Sequence, residues 1–365
     1  MDEQLSRILA EITSRIGEWY PAMASTTDGR LGVQVVSDDR RVLNRVVRVV
    51  VTRDDEPVAR LMVKTDVPDP AAALVADDRP RLVPLTAPGQ RAGFEYDALR
   101  LLEARLGAAG DGRLRPIRAL AVLDEPRALV MEAFAGRPLN TLLLRSTLRP
   151  GEPALRPAAL ANAAGAWLRL LHETPVDNTR PVRQGTSEDL AERFSAFGRF
   201  LAGAMPSEEL GSIVEAGRAS TLALGDPSVV LSHGDFAPRN ILVDGSGRLA
   251  VIDLLGRWQA PPYEDVAGFL VSLQTSRANA ATRGLLFGRT IERLEPAFLA
   301  GYYGSEPVPR DAIRVYELLL LLDKWAARAI RNRMQGPVRR VRERLIDSHF
   351  EARSRLLARD LAARS

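Results

Sequence analysis

Residues 233–265 read HGDFAPRNILVDGSGRLAVIDLLGRWQAPPYED. Three polar residues in this stretch stand at a fixed spacing. Asp235 is followed five residues later by Asn240, and thirteen residues after that by Asp253. Two apolar runs lie between Asn240 and Asp253: Ile241-Leu242-Val243 and Leu249-Ala250-Val251-Ile252. The segment Asp244-Gly245-Ser246-Gly247 separates them and supplies hairpin turn chemistry. A hairpin closes its two ends together, so Asn240 and Asp253 are expected side by side, with Asp235 on the loop before them. Two oxygen ligands beside a further carboxylate equip a chain for magnesium-dependent phosphoryl transfer. The plainer alternative is a surface hairpin with incidental Asp and Asn.

The segment His233-Gly234-Asp235, four residues and then Asn240 resembles the catalytic loop of the aminoglycoside phosphotransferase and choline kinase superfamily. That superfamily is a branch of the protein-kinase-like fold. Val251-Ile252-Asp253 resembles its second metal-binding segment. Pro261-Pro262-Tyr263-Glu264-Asp265-Val266-Ala267 resembles the proline-then-Asp-aliphatic-Ala segment that follows. The three pieces occur in order around a hairpin, which gives the match a structural context.

The remaining sequence is compatible with this resemblance. A chain of 365 residues, 46% of them hydrophobic, holds one large or two medium domains with a real core. It has no run of eighteen apolar residues, so no transmembrane helix is expected. The polar, acidic start Met1-Asp2-Glu3-Gln4 does not read as a secretory signal, and a cytoplasmic location is expected. With no cysteine, disulfides, zinc thiolates and thiol catalysis are excluded. Residues 310–365 hold fourteen Lys+Arg against seven Asp+Glu, so the net charge of +4 resides in a basic C-terminal segment. A solvated helix face is the ordinary reading of such charge, and neither nucleic acid nor stable membrane insertion is expected.

The periodicity predicts an α+β chain. Leu5, Ile8, Leu9, Ile12, Ile16 and Trp19 stand at helical spacing ahead of Pro21. Strand-like runs cover 32–37, 45–52 and 58–65, a helix covers 90–106, and two more strands cover 117–123 and 128–134. Helical patterns then dominate, at 139–144, 158–172, 187–204, 208–224, 263–274, 284–302, 310–334 and 338–363. The resemblance implies a bilobal fold. Residues 1–133 would form an N-lobe with a five-stranded antiparallel sheet and one key helix, and residues 134–365 a mainly helical C-lobe carrying the hairpin and the acceptor site.

It also assigns roles. Asp235 would be the catalytic carboxylate, and Asn240 and Asp253 would hold Mg2+ against the triphosphate of ATP or GTP. Lys64 ends the run Leu61-Met62-Val63 and is one of only two lysines, with Lys324. It would hold the α/β-phosphates as a compact charge. Glu95 would pair with Lys64, with Asp97 as the competing carboxylate. Glu132 and Phe134 would offer main-chain groups to the base at the hinge. His233 and His172 would be structural. The candidate nucleotide loop, residues 37–44, contains no glycine, Ala237 stands where many relatives carry His or Lys, and Arg239 stands one residue before Asn240.

The acceptor is not written in the motifs. Glu188, Asp189, Glu192, Glu208 and Glu209 form a thin acidic group, against arginines such as Arg339, Arg340, Arg342 and Arg344. A hydroxylated small molecule is the expected acceptor. The competing classes are a protein kinase, disfavoured by the lack of an A-P-E-like segment, a non-catalytic nucleotide-binding or scaffold protein, and a nucleic-acid or membrane binder acting through the C-terminal helix. Val338, Val341, Leu345, Phe350, Leu356, Leu357 and Leu361 give that helix an apolar stripe expected to pack on the rest of the chain.

Overall fold

The computed structural model describes residues 2–21, 30–40, 44–66, 78–84, 90–148, 156–175, 180–205, 207–276, 279–280, 282, 288–333 and 337–364. The chain divides into two compact units. One comprises Met1–Ala76, Leu85–Asp111 and Arg115–Ala135; the other comprises Asp77–Pro84, Gly112–Leu114 and Gly136–Ser365.

The first unit is built on a five-stranded antiparallel sheet. Its strands are β1 (Leu31–Arg40), β2 (Asn44–Arg53), β3 (Glu56–Asp66), β4 (Ala119–Asp124) and β5 (Arg127–Glu132), in the order β1-β2-β3-β5-β4. Helix α1 (Glu3–Trp19) starts at an Asp2 cap whose Oδ1 accepts from Leu5 N–H at 2.9 Å. Its stripe Leu5, Ile8, Ile12, Ile16 and Trp19 is buried against Val47, Val49, Val51, Leu61, Val63, Leu123 and Val130. Side chains alternate along a strand, so Val63 faces α1 while Lys64 points to the opposite face of the sheet. There α2 (Arg91–Ala109) buries Ala92, Glu95, Ala98, Leu99, Leu102 and Leu106.

Two departures from the sequence reading bear on the nucleotide-binding expectations. The nucleotide loop expected over 37–44 is largely strand: Ser37, Asp38, Asp39 and Arg40 pair with Arg48, Val47, Val46 and Arg45. A register shift between Val35 and Ser37 lets the pairing continue. Arg45 then pins it, with Nε 2.7 Å and Nη2 2.6 Å from the two Asp38 oxygens and Nη1 2.8 Å from Asp2 Oδ2. Residues 41–43 lie outside the described residues. The strand expected to reach Phe134 stops at Glu132. Glu132 N–H donates to Arg118 O and Ala133 N–H to Arg60 O, both at 2.9 Å.

The second unit is mainly helical: α3 (Leu139–Leu148), α4 (Pro157–His172), α5 (Ser187–Ala204), α6 (Leu210–Leu224), α7 (Pro262–Gln274), α8 (Gly288–Tyr303), α9 (Arg310–Arg333) and α10 (Pro337–Ala362). Short strands β6 (Arg137–Pro138), β8 (Ile241–Val243) and β9 (Leu249–Val251) form one small sheet, and β7 (Val230–Leu231) pairs with β10 (Gln259–Ala260). A core of this unit gathers Phe194, Phe197, Leu318, Leu319, Leu322, Trp325, Phe350, Leu357 and Leu361. Phe350, Leu357 and Leu361 of the predicted C-terminal stripe are therefore buried, whereas Leu356 is 50% exposed. Side chains 338, 341 and 345 lie outside the described residues. Helices α4 and α8 approach backbone to backbone: a Cβ on Gly165 would collide with the Phe298 carbonyl and one on Gly301 with the Asn162 carbonyl. Among the described residues no helix is long and apolar enough to cross a membrane.

Candidate active site

The hairpin of the second unit closes as its sequence implies. Ile241 pairs with Val251, Leu242 with Ala250 and Val243 with Leu249. Ile252 N–H then donates to Asn240 O at 2.9 Å, so Asp253 follows directly at the mouth. At the far end Asp244 Oδ1 accepts from Ser246 N–H, Ser246 Oγ–H and Arg248 N–H, at 2.9, 2.7 and 3.0 Å. Burial works to raise the Asp244 pKa, but these hydrogen bonds and that of Arg248 Nε overturn it and hold the carboxyl well below its usual range.

Residues 233–240 sit on an aromatic floor. Phe236, 1% exposed, stacks on Trp167 with ring centroids 5.8 Å apart, and Trp167 meets His233 edge-on at 6.1 Å. The loop backbone is gripped from below by Asp265, near the start of α7. Its Oδ2 accepts His233 N–H at 2.6 Å and its Oδ1 accepts Gly234 N–H at 3.0 Å. Gly234 lies at φ +78°, a conformation that favours glycine. His172 Nε2 stands 3.2 Å from Asp265 Oδ2, and its Nδ1 stands 2.6 Å from the Tyr302 hydroxyl. Since a carboxylate only accepts, Nε2 carries the proton and Nδ1 accepts from Tyr302. Burial alone would raise the Asp265 pKa; the hydrogen bond from His172, with that from the His233 N–H, leaves it lowered. Burial pushes His233 below the ordinary imidazole value. Its Nδ1 accepts from Asp235 N–H at 3.3 Å, which makes it a brace of the loop.

Asp235 itself is half-exposed and held on two flanks. On the buried flank Asn240, 4% exposed, donates from Nδ2 to Asp235 O at 2.9 Å and to Asp235 Oδ2 at 3.0 Å. Both of those are acceptors, so the amide orientation is fixed and Asn240 Oδ1 turns the other way. On the open flank Arg239 Nη2 lies 2.5 Å from Oδ1 and 2.6 Å from Oδ2. Asp253 adopts φ +61°, a left-handed conformation that Asp tolerates better than most residues.

An amide oxygen and a carboxylate at a hairpin mouth suit Mg2+, which takes few protein oxygens and completes its shell with phosphates and water. No group of three or more His, Cys, Asp or Glu among the described residues forms a metal cage by itself. The donor set therefore fits a metal that arrives with a nucleotide.

In the first unit Lys64, 8% exposed, places Nζ 2.5 Å from Glu95 Oε1. Asp97 is exposed, because two residues along a helix is the opposite face. Glu132 has its carboxylate held by Tyr20 Oη at 2.9 Å and Arg118 Nη1 at 3.2 Å, and its N–H is spent inside the sheet. Its carbonyl and the Phe134 N–H make no main-chain bond to another described loop residue. Sequence reasoning did not foresee the anchoring work of Asp265 and Tyr302, nor the Arg239–Asp235 contact; only the proline-then-Asp segment signalled the first.

A sheet of this order with a buried Lys–Glu pair, together with a helical unit carrying the HGD loop and hairpin, defines a protein-kinase-like phosphotransferase fold. Residues 37–302 match the phosphotransferase enzyme family, and the chain belongs to it. No curated protein matches the sequence. Among solved structures, it is similar to a choline/ethanolamine kinase family protein from Mesorhizobium loti, with 15% identity, TM-score 0.53 and coverage of 97% of this chain and 98% of that one. It is similar to a thermostable mutant of the aminoglycoside phosphotransferase APH(4)-Ia, with 14% identity, TM-score 0.52 and coverage of 93% and 97%. An ethanolamine kinase from Plasmodium vivax gives 11% identity, TM-score 0.50 and coverage of 98% and 91%. At these identities the likeness establishes the fold.

Proposed function

We propose that this chain is a small-molecule kinase that transfers the γ-phosphoryl group of ATP to a hydroxyl of its acceptor. The observation that carries this reading is the loop 233–240. Asp235 is left half-exposed while its backbone and one carboxylate oxygen are fixed by Asn240, and Asp265 clamps the two preceding N–H groups. Such a scaffold positions a carboxylate without hiding it.

In this reading an acceptor hydroxyl lies against Asp235 and its oxygen lone pair attacks the γ-phosphorus. The bond from that phosphorus to the β,γ-bridging oxygen breaks, ADP leaves, and the hydroxyl proton passes to Asp235. Asn240 and Asp253 would hold Mg2+, which would supply charge neutralisation of the triphosphate. Lys64, oriented by Glu95, donates to the α/β-phosphates, and the Glu132 carbonyl and Phe134 N–H address the base. Residues 1–133 and 134–365 serve as the nucleotide and acceptor lobes. Choline, ethanolamine and aminoglycosides named for the similar structures mark the acceptor class as small hydroxylated molecules.

The test is ADP release by purified protein with magnesium-ATP across hydroxylated metabolites, followed by single-turnover transfer with the acceptor found. Asp235→Asn should retain nucleotide affinity and lose transfer. Wild-type-like transfer by that variant would defeat the assignment.

A further inference from the structure

The geometry points to Arg239 as an acceptor-recognition residue: it selects an acceptor that carries an oxyanion, carboxylate or phosphate, close to the hydroxyl that is phosphorylated. This rests on the kinase reading above and narrows its substrate class.

Asp235 has two unlike flanks. Asn240 occupies the buried flank, and with Asp253 it marks the side from which metal and triphosphate come. The acceptor must therefore approach from the other flank, where Arg239 stands. The Arg239 side chain is 49% exposed and that of Asp235 44%, so both meet the same solvent. Arg239 uses Nη2 alone to touch the two Asp235 oxygens. Its Nε and Nη1 make no hydrogen bond to any described residue. A guanidinium carries five N–H donors in a rigid fork that matches carboxylate and phosphate. Several of those donors are thus presented within a few ångströms of the catalytic carboxylate, where a substituent one or two bonds from the reacting hydroxyl would sit.

The charge balance agrees. Arg239 neutralises Asp235, so the open flank offers a cation no net attraction. Two of the acidic residues that could draw a polycation are paired with arginines of their own. Glu192 pairs with Arg199 at 2.7 Å and Glu209 with Arg355 at 2.9 Å, while Glu188 and Asp189 lie in the first turn of α5. Arg239 is also the one Lys or Arg in residues 233–240, and Ala237 is 1% exposed. A purely structural role would only hold the Asp235 rotamer, and an exposed i,i+4 pair contributes little to stability.

The experiment uses the full chain with magnesium-ATP and reads ADP release on matched probes: glycerate with glycerol, gluconate with glucitol, glucose 6-phosphate with glucose, and choline as a cation. The expected result is turnover of an anionic member at least about tenfold above its neutral partner in kcat/KM, the fold-change that hydrogen bonds to a charged group supply. The carboxylate and phosphate arms show which oxyanion is preferred. Arg239→Ala should collapse that ratio towards one, and Arg239→Lys should keep part of it. Turnover confined to neutral or cationic members overturns the proposal. So does an equal loss on both members of a pair in Arg239→Ala, which would make the residue a brace or a nucleotide contact. Calorimetry of magnesium-ATP binding to wild type and Asp253→Ala stands apart: no nucleotide binding by wild type defeats the kinase reading itself.

Discussion

Two cation–carboxylate pairs of the same length do different work in this chain. In the first unit Lys64 and Glu95 meet at 2.5 Å with side-chain exposures of 9% and 4%. In the second, Arg239 and Asp235 meet at 2.5 Å with exposures of 49% and 44%. The first pair joins a strand to a helix 31 residues away. The second closes within four residues of the same loop. Burial makes the first costly to disturb, because removing one partner strands a charge in low dielectric. Exposure makes the second thermodynamically slight, and the proposed role of this pair is in chemistry and recognition.

The sharpest way to break this comparison is to remove chemistry without removing structure. Asp253→Ala is expected to abolish phosphoryl transfer in single-turnover assays, and Asp235→Asn to reduce it by at least about a hundredfold, as a lost general base does. Both should unfold near the wild-type midpoint in urea. An Asp235 variant that lost several kcal/mol of stability with its activity would place that carboxylate in the scaffold.

Next in size, Lys64→Ala should destabilise the protein by about 3–5 kcal/mol by taking the Lys64 ammonium away from the buried Glu95 carboxylate. The double change Lys64→Met with Glu95→Leu should recover most of that while nucleotide affinity stays low. Recovery of nucleotide binding with stability would make the pair structural only.

A third carboxylate extends the rule to pH. Glu264 is 3% exposed, its Oε2 has no hydrogen-bond partner among the described residues, and burial pushes its pKa up to about 7 despite Arg183 Nη2 at 2.6 Å. The folded value lies above the unfolded one, so the folded state binds the extra proton in between. The contribution of Glu264 is fully present below about pH 4.5 and is lost as pH rises through about 7. The loss should amount to about 3 kcal/mol across that window. Glu264→Gln should flatten the stability profile between those values in thermal melts; an unchanged slope would show that Arg183 keeps Glu264 ionised.

The smallest effect is on the exposed pair. Arg239→Ala should change unfolding free energy by less than about 1 kcal/mol. A loss of several kcal/mol in chemical denaturation would show that the loop 233–240 depends on it for folding.

The strand and helix pattern was readable because alternation and 3.6-residue spacing are local properties, as the stripe Leu5, Ile8, Ile12, Ile16 and Trp19 shows. The hairpin was readable because turn chemistry fixes which residues face each other, which brings Asp253 to the mouth beside Asn240. The sequence alone therefore determined the α+β class, the loop carrying Asp235 and the candidate ligands. Only the tertiary structure decided that Glu95 and not Asp97 meets Lys64, because helix phase relative to a strand comes from packing. It alone decided that Asp265 grips two loop N–H groups through a contact 32 residues long, and that residues 37–40 extend a strand. It alone set Arg239 on the open flank of Asp235 and Asn240 on the buried one. Adjacent residues look alike in a sequence; which of them is desolvated depends on everything packed around them, and that sets what each charge can do.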